Sequence, residues 1–558
     1  MRNLTFCSFF LLVANLLHSQ PSWLWAKGFP TSNISEGVSI AKDDSGNVIM
    51  AGGFTDTMSI GNTALITTTN EYNILLAKFD AGGNPVWAKT SQPGSGSVIY
   101  SVQTDHSGNI YACGIFADQQ LILGSFTLTN TTVGQEEIFI AKFDRNGNVI
   151  WAHSAQGQYH DRASSMTIDG MGNIYISGYF ESSILIFGQD TLHSISVLSD
   201  QQNFFLVKYD QGGNIIWTKC ATGHGWIADA HVAADSVGNV YVTGYYFGTD
   251  IEFDGDSLTQ AVYNHFEMFT TRYSYNGNEI WTKQWENDLG IWSTDIRTDH
   301  SNNIIICGTY DSVVQHFDTF SCTPYGHTNA YLLKLNAAGN VQWVVAPQSN
   351  DEFAGENIAV DADDDVFFTG EVMLQQHSII IFGTDTFYYP VNTPDPAFLM
   401  LFNSAGALQC GQTLITGGDD YLAMVQGQFP GSVYLTGDMY MSPVAFGNDT
   451  LSVPGAWEYA CLMNWACGKF GSVNEVQNEN SFSLYPVPSS SELNYDLGEL
   501  DFHDTQFEIM DVEGNRVSIG EINSSSGRLN IADLANGIYL FRIISEGGET
   551  TQKLFVKE

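Results

Sequence analysis

A chain of 558 residues exceeds what one hydrophobic core can organise, so several domains or an array are expected. Its 54 glycines, 13% aromatic content and lack of long helical periodicity argue against a helical protein and for short strands. With 61 acidic against 20 basic residues the formal charge is −41, a surface that repels phosphate backbones and argues against nucleic acid as a partner.

The first stretch, residues 1–20, reads as an export signal: Arg2 supplies positive charge, residues 6–17 a short apolar core, and His18-Ser19-Gln20 a cleavage region. That core is too short to span a membrane, and no later segment approaches spanning length. Cys7 lies within the apolar core and not at a cleavage site, which argues against a lipid anchor. The mature chain holds Cys113, Cys220, Cys307, Cys322, Cys410, Cys461 and Cys467, an odd number that leaves at least one thiol free or paired with another chain. Cys461 and Cys467 flank an expected turn and are the candidate bridge, while no spacing suggests zinc.

From there a repeat takes over. Residues 137–152, EIFIAKFDRNGNVIWA, read as a hairpin: alternating side chains, a turn at 144–148 with Gly147 able to take the left-handed conformation, and a return strand ending at Trp151. The same tryptophan recurs as Trp25, Trp87, Trp217, Trp281 and Trp343; from Trp25 the steps are 62, 64, 66, 64 and 62 residues. Each unit also carries an Asp-x-x-Gly-Asn turn before the hairpin, at 43–47, 105–109, 169–173 and 235–239, with Asn302 and Asp364 replacing the glycine in later copies. First hairpin strands and return strands each number seven but are offset by one unit, because the strand around Trp25 precedes any partner. The N-terminal strand should therefore complete a last blade. The expected fold is all-β: a seven-bladed β-propeller over 21–467, closed by that strand.

The repeat core, as in Asp235-Ser236-Val237-Gly238-Asn239-Val240-Tyr241-Val242-Thr243-Gly244, resembles the SBBP-type β-propeller repeats of bacterial surface and secreted proteins, a likeness that implies architecture and no particular reaction. Residues 468–482 read as a polar linker. Beyond it, residues 483–558 bear Tyr485-Pro486-Val487-Pro488, then Gly514, then Gly537-Ile538-Tyr539, and close around Lys553. This order resembles the C-terminal sorting domain of type IX secretion cargo, with Val487 where that family usually has Asn. The resemblance implies a small β-sandwich-like domain, the type IX machinery as a partner, and a destination on the outer-membrane surface or outside the cell by way of the periplasm.

Residues that carry chemistry are sparse. There is no His-Glu-x-x-His, no Gly-x-Ser-x-Gly and no phosphate-cradling loop. No cofactor is expected. Calcium is the rival reading at residues 361–365 and 250–256, where EF-hand-like starts lack their terminal acid, and Asp and Asn capping their own turns is the structural one. The spaced tryptophan is similar to the docking repeats of quinone-dependent dehydrogenases, one residue short, and packing against a neighbouring blade explains it without a cofactor. Loops that lead from one unit into the next should gather on one face. They hold the candidate ligand-binding residues Tyr159, His160, Asp161, Trp226, Trp285, Trp292 and Tyr421, aromatics beside polar groups that suit a carbohydrate or protein ligand. An ordinary polar rim with half-buried aromatics is the bland reading of the same loops. The function expected is binding outside the cell, with a polysaccharide lyase or hydrolase using loop-face His and carboxylates as the alternative.

Overall fold

The computed structural model describes residues 21–467 and 483–557, less short stretches of which 195–201, 389–395, 416–421, 452–457, 486–490, 498–504 and 545–549 are the longest. Residues 1–20, where an export signal is expected, and residues 468–482, where the linker is expected, lie outside the described residues. Two compact units emerge, Met1–Lys469 and Phe470–Glu558. Among the described residues the protein is all-β and propeller-like.

The first unit contains seven four-stranded antiparallel sheets among its described residues. Their first strands are Ser35–Lys42, Ser97–Thr104, Asp161–Ile168, Trp226–Ala234, Ile291–Thr298, Glu352–Val360 and Ala423–Gln426. In the first six sheets the four strands follow in chain order. The seventh takes its outer strand from the N-terminus: Pro21–Gly28 pairs with Tyr459–Cys467, Pro21 opposite Cys467 and Gly28 opposite Cys461. First strands of successive sheets lie against each other, and that of the seventh lies against that of the first. Small two-stranded hairpins such as Ile184–Phe187 with Asp190–His193 sit between the second and third strands.

The Asp-x-x-Gly-Asn turns are closed by their own side chains. Asp105 Oδ1 accepts from the backbone N–H of Ser107 and Asn109, both at 2.9 Å, and its Oδ2 from Asn109 Nδ2 at 2.8 Å. Asn302 and Asp364 adopt the left-handed φ of the glycine they replace, 60° and 62°. Burial works against ionisation of Asp43, but hydrogen bonds from Lys78 and Asn47 outweigh it and hold the carboxyl below its ordinary range. At the calcium candidates the acids are engaged in the same way: Asp361 accepts from Asp363, Asp365 and Gly431, and Asp254 pairs with Lys219.

Tryptophan joins each sheet to the next except at the junction of the sixth with the seventh, where the outer strand Leu408–Ile415 has none. Lys142 and Trp151 are cross-strand partners, and both donate to one carbonyl in the next sheet's hairpin turn, Gln211 O, at 3.2 and 3.3 Å. Lys208 with Trp217 holds Tyr275 O, Arg272 with Trp281 holds Ala337 O, and Lys334 with Trp343 holds Ser404 O. The ring lies flat on the glycine of that turn: a Cβ on Gly147, at φ +76°, would come within 3.1 Å of the Trp87 ring. Trp25 covers Gly83 in the same manner, and there the Tyr434 hydroxyl donates to Ala81 O at 3.3 Å.

The cysteine expectation needs correction. Cys410 bonds to Cys467, linking the outer strand of the sixth sheet to the third strand of the seventh. Cys461 is buried and takes no part in the disulfide, because it shares the strand Tyr459–Cys467 with its expected partner, and an extended backbone holds residues six apart roughly 20 Å from each other.

In the second unit a three-stranded sheet, Ser483–Tyr485, Glu492–Asp496 and Ser526–Asn530, and a four-stranded sheet running from Thr505–Asp511 to Thr550–Lys557 bury a core that includes Leu493, Ile509 and Phe541. Tyr485 pairs with Asn494, Gly537 opens a strand, Tyr539 is buried and Lys553 lies opposite Phe541. Pro486, Pro488 and Gly514 fall outside the described residues.

Trp151 is buried, so Trp151→Ala should cost about 3–5 kcal/mol, the range for deleting a large core aromatic. Trp151→Phe should lose less, since the ring remains and only the indole donor is gone. Chemical denaturation of the two variants distinguishes packing from hydrogen bonding.

Candidate functional site

The first strands surround a cavity of about 550 Å³ to which each of the seven contributes lining residues. A β-bulge interrupts each of the first six of these strands at the same place, between Gly37 and Ser39, Ile99 and Ser101, Ala163 and Ser165, Ala228 and His231, Ser293 and Asp295, and Gly355 and Asn357. The residue after the bulge reaches sideways. Ser39 Oγ accepts from Val102 N–H, Ser101 Oγ from Met166 N–H and Ser165 Oγ from Val232 N–H, at 3.1–3.2 Å. Asp295 Oδ2 accepts from Ile358 N–H and Asn357 Oδ1 from Met424 N–H, both at 3.1 Å. These bonds tie neighbouring sheets together around the cavity.

Three aromatic side chains, Tyr100, Tyr245 and Trp292, line the cavity. Phe266 links Trp292 at 6.4 Å, Tyr245 at 5.1 Å and Trp226 at 5.7 Å between ring centroids, so the aromatic lining continues to the start of the fourth sheet. Arg162 is satisfied internally. It forms a bidentate pair with Glu136 and lies over the Tyr100 ring, 4.9 Å from its centroid. Arg297 pairs with Asp295 and donates to Ile296 O. Glu36 accepts from the Tyr72 hydroxyl, and Asp229 from Tyr245 at 2.9 Å.

Of the residues singled out in the sequence, Trp292 lines the cavity and Trp226 joins it through Phe266. Tyr159 is exposed and His160 half-buried on the loop leading into the third sheet. Asp161 is fully buried beneath that loop, accepting from Ser182 Oγ at 2.7 Å. Trp285 is a core residue, 4% exposed and packed near Phe317, because it ends an outer strand with its ring turned between the fourth and fifth sheets. Tyr421 lies outside the described residues. Sequence reasoning missed Glu36, Tyr100, Asp229, His231 and Tyr245. Glu36, Tyr100, Asp229 and His231 lie on first strands at or beside the bulge, which breaks the two-residue alternation by which such positions are found, and Tyr245 lies on the second strand opposite it.

Comparison with known proteins bears on the second unit most directly. Residues 483–557 match the secretion system C-terminal sorting domain family. The chain is thus handled by the type IX secretion system and delivered to the cell surface or outside the cell. No helix among the described residues is long and apolar enough to cross a membrane. Over 426 residues the chain is 24% identical to the uncharacterized WD repeat-containing protein L264 of Acanthamoeba polyphaga mimivirus, covering 62% of this chain and 30% of that protein. It therefore spans less than a third of that relative's length. Among solved structures it is similar to a protein of unknown function from Dyadobacter fermentans, at 9% identity and TM-score 0.38, covering 80% of this chain and 99% of that one. It is also similar to PorZ, described as an essential bacterial surface component of the type IX secretion system of Porphyromonas gingivalis, at 10% identity and TM-score 0.22, covering 93% and 81% of the two chains.

Beneath the Tyr159 loop, burial pushes Glu137 up to about 8, with nearby Asp161 adding to the shift and the Gly157 N–H opposing it. Asp161 is itself pushed up to about 7 by burial against the hydrogen bonds it accepts. A carboxyl favoured in its neutral form stabilises the fold at low pH, and that contribution is lost as pH rises towards the folded value. Glu137→Gln should therefore stabilise the protein at pH 8 by about 1–2 kcal/mol more than at pH 4.5. Melting curves at the two pH values test this.

Proposed function

We propose that residues 21–467 form a closed seven-bladed β-propeller of SBBP-type repeats, exported behind the signal segment at residues 1–20, that binds an extracellular carbohydrate or protein ligand at its aromatic-lined cavity. The observation that carries the reading is the convergence of Tyr100, Tyr245 and Trp292, from three different sheets, on one cavity large enough for a sugar ring or several side chains. Closure is supported by the pairing of Pro21–Gly28 with the last sheet and by the cyclic order of the first strands. The sorting domain remains a separate address, and no cofactor enters the reading.

Binding is favoured over a lyase or hydrolase built on the loop-face His and carboxylates by where those groups lie. A lyase or hydrolase needs an acid and a base aimed at one point. His160 accepts from the Glu136 N–H at its Nδ1, 3.4 Å away, and Asp161 is spent on Ser182. Neither lines the cavity.

Trp292→Ala in the full-length exported protein should weaken ligand binding roughly tenfold or more, as for a central aromatic anchor, with little change in melting temperature. A glycan and protein array identifies the ligand, titration measures the loss, and product analysis of each hit distinguishes a binder from an enzyme. Deleting Pro21–Gly28 should lower the melting temperature and open the strand Tyr459–Cys467 to proteolysis, since its edge would lose its partner. A shortened chain that melts unchanged and resists cleavage there overturns closure.

A further inference from the structure

The cavity holds acceptors, and its cationic donors are already taken. Arg162 is occupied by Glu136 and Tyr100, and Arg297 by Asp295 and the Ile296 carbonyl. Glu36 and Asp229, on the first and fourth sheets, accept hydrogen bonds from tyrosine hydroxyls and are paired with no cation among the described residues. Asp438 and Glu458 add further acidic lining.

His231 sharpens the picture. It occupies the post-bulge position at which Ser39, Ser101, Ser165, Asp295 and Asn357 each bind the next sheet's backbone. His231 makes no such bond, because the N–H it would meet, that of Ile296, is taken by Asp295 Oδ1 at 2.8 Å. Its imidazole lines the cavity, half-buried and with no hydrogen-bond partner among the described residues, and burial, with Arg297 beside it, holds it below its ordinary range despite the Asp295 and Asp229 carboxylates nearby. A neutral imidazole offers a lone pair. Two carboxylates without cations, an unpartnered imidazole and the faces of Tyr100, Tyr245 and Trp292 form a set that a positively charged donor satisfies and an anion does not.

We propose that the cavity is a recognition site for lysine side chains of a basic polypeptide, with their ammonium groups drawn to the acidic lining at Glu36 and at Asp229 beside His231, and their methylene stems against the aromatic lining of Tyr245 and Trp292. This rests on the binding reading above and names the ligand class. A polypeptide is favoured over an amino sugar because a lysine stem is slender and apolar, suited to lie along the aromatic rings while it carries its charge to the carboxylates. The net charge of the whole chain would draw any such segment towards the protein, so specificity has to be read against that background.

The test uses the full exported chain at about 0.15 M salt, where long-range attraction is screened. Calorimetry compares tetralysine, its fully Nε-acetylated form, a glucosamine tetramer and the N-acetylated tetramer. Tetralysine should bind about tenfold more tightly than the acetylated peptide, and Glu36→Gln and Asp229→Asn should each weaken it about tenfold. Glu252→Gln, on an exposed satellite strand, should leave binding unchanged, and melting curves confirm that all three variants are folded. Equal binding of acetylated and free peptide, or an equal loss from Glu252→Gln, overturns the proposal. Preference for the glucosamine tetramer, with the same sensitivity to Glu36→Gln, overturns the polypeptide and moves the site to amino sugars. Binding of a neutral glycan lost in Trp292→Ala, with no response to the charged probes, overturns cation recognition and leaves the binding function standing. Absence of binding by all four probes overturns the proposal as well.

Discussion

The contact on which the first unit depends is a tryptophan lying on a glycine. Six of the seven outer strands lay an indole ring against the hairpin turn of the following sheet, the sixth sheet being tied to the seventh by Cys410–Cys467 instead, and the turn must offer a bare Cα there: a Cβ at Gly83, Gly147 or Gly406 would stand about 3 Å from ring atoms. The same side chain donates to a turn carbonyl, and a Lys or Arg on the adjacent strand often donates to it too. Ring, glycine and shared carbonyl together set how one sheet meets the next. Repeating that geometry brings successive first strands side by side around a common cavity. At the last junction the parts are redistributed, with Trp25 covering Gly83 while Tyr434 reaches the carbonyl.

On the inner side a different device does the joining. In five of the seven sheets the bulge turns one small polar side chain towards the neighbouring backbone, so these first strands are tied by side chains and not by a continuous ladder. Using Ser, Asp and Asn for this purpose leaves the rest of the lining free to vary, and there the sheets differ. The repeat is therefore strict where sheets meet and loose where the cavity is lined. Scaffold and cavity lining can be specified by different positions of one unit.

Legibility of the site followed the same division. Trp226 and Trp292 look alike in sequence to Trp285, each a tryptophan near a loop, and only the first two belong to the aromatic cluster. Trp285 falls on the other side of its strand and joins the core. Asp161 shows the converse: a charged residue next to a loop reads as exposed, yet a serine hydroxyl and two backbone N–H groups let it be fully buried. The disulfide failed for a related reason, because sequence proximity of Cys461 and Cys467 says nothing about the strand that separates them.

What the sequence determined by itself is whatever depends on local chemistry repeated at a fixed period. The Asp-x-x-Gly-Asn turns, the hairpins and their tryptophans, the offset N-terminal strand and the ordered motifs of the sorting domain all rest on contacts within a few residues or on counting units. Tertiary structure decided what depends on which face of a strand a side chain takes and which strand lies beside it. One bulged residue reverses the alternation, and partners such as Ser39 with Val102, or Cys410 with Cys467, lie 63 and 57 positions apart. The cavity's lining comes from all seven sheets at once, and that convergence exists only after the sheets have packed.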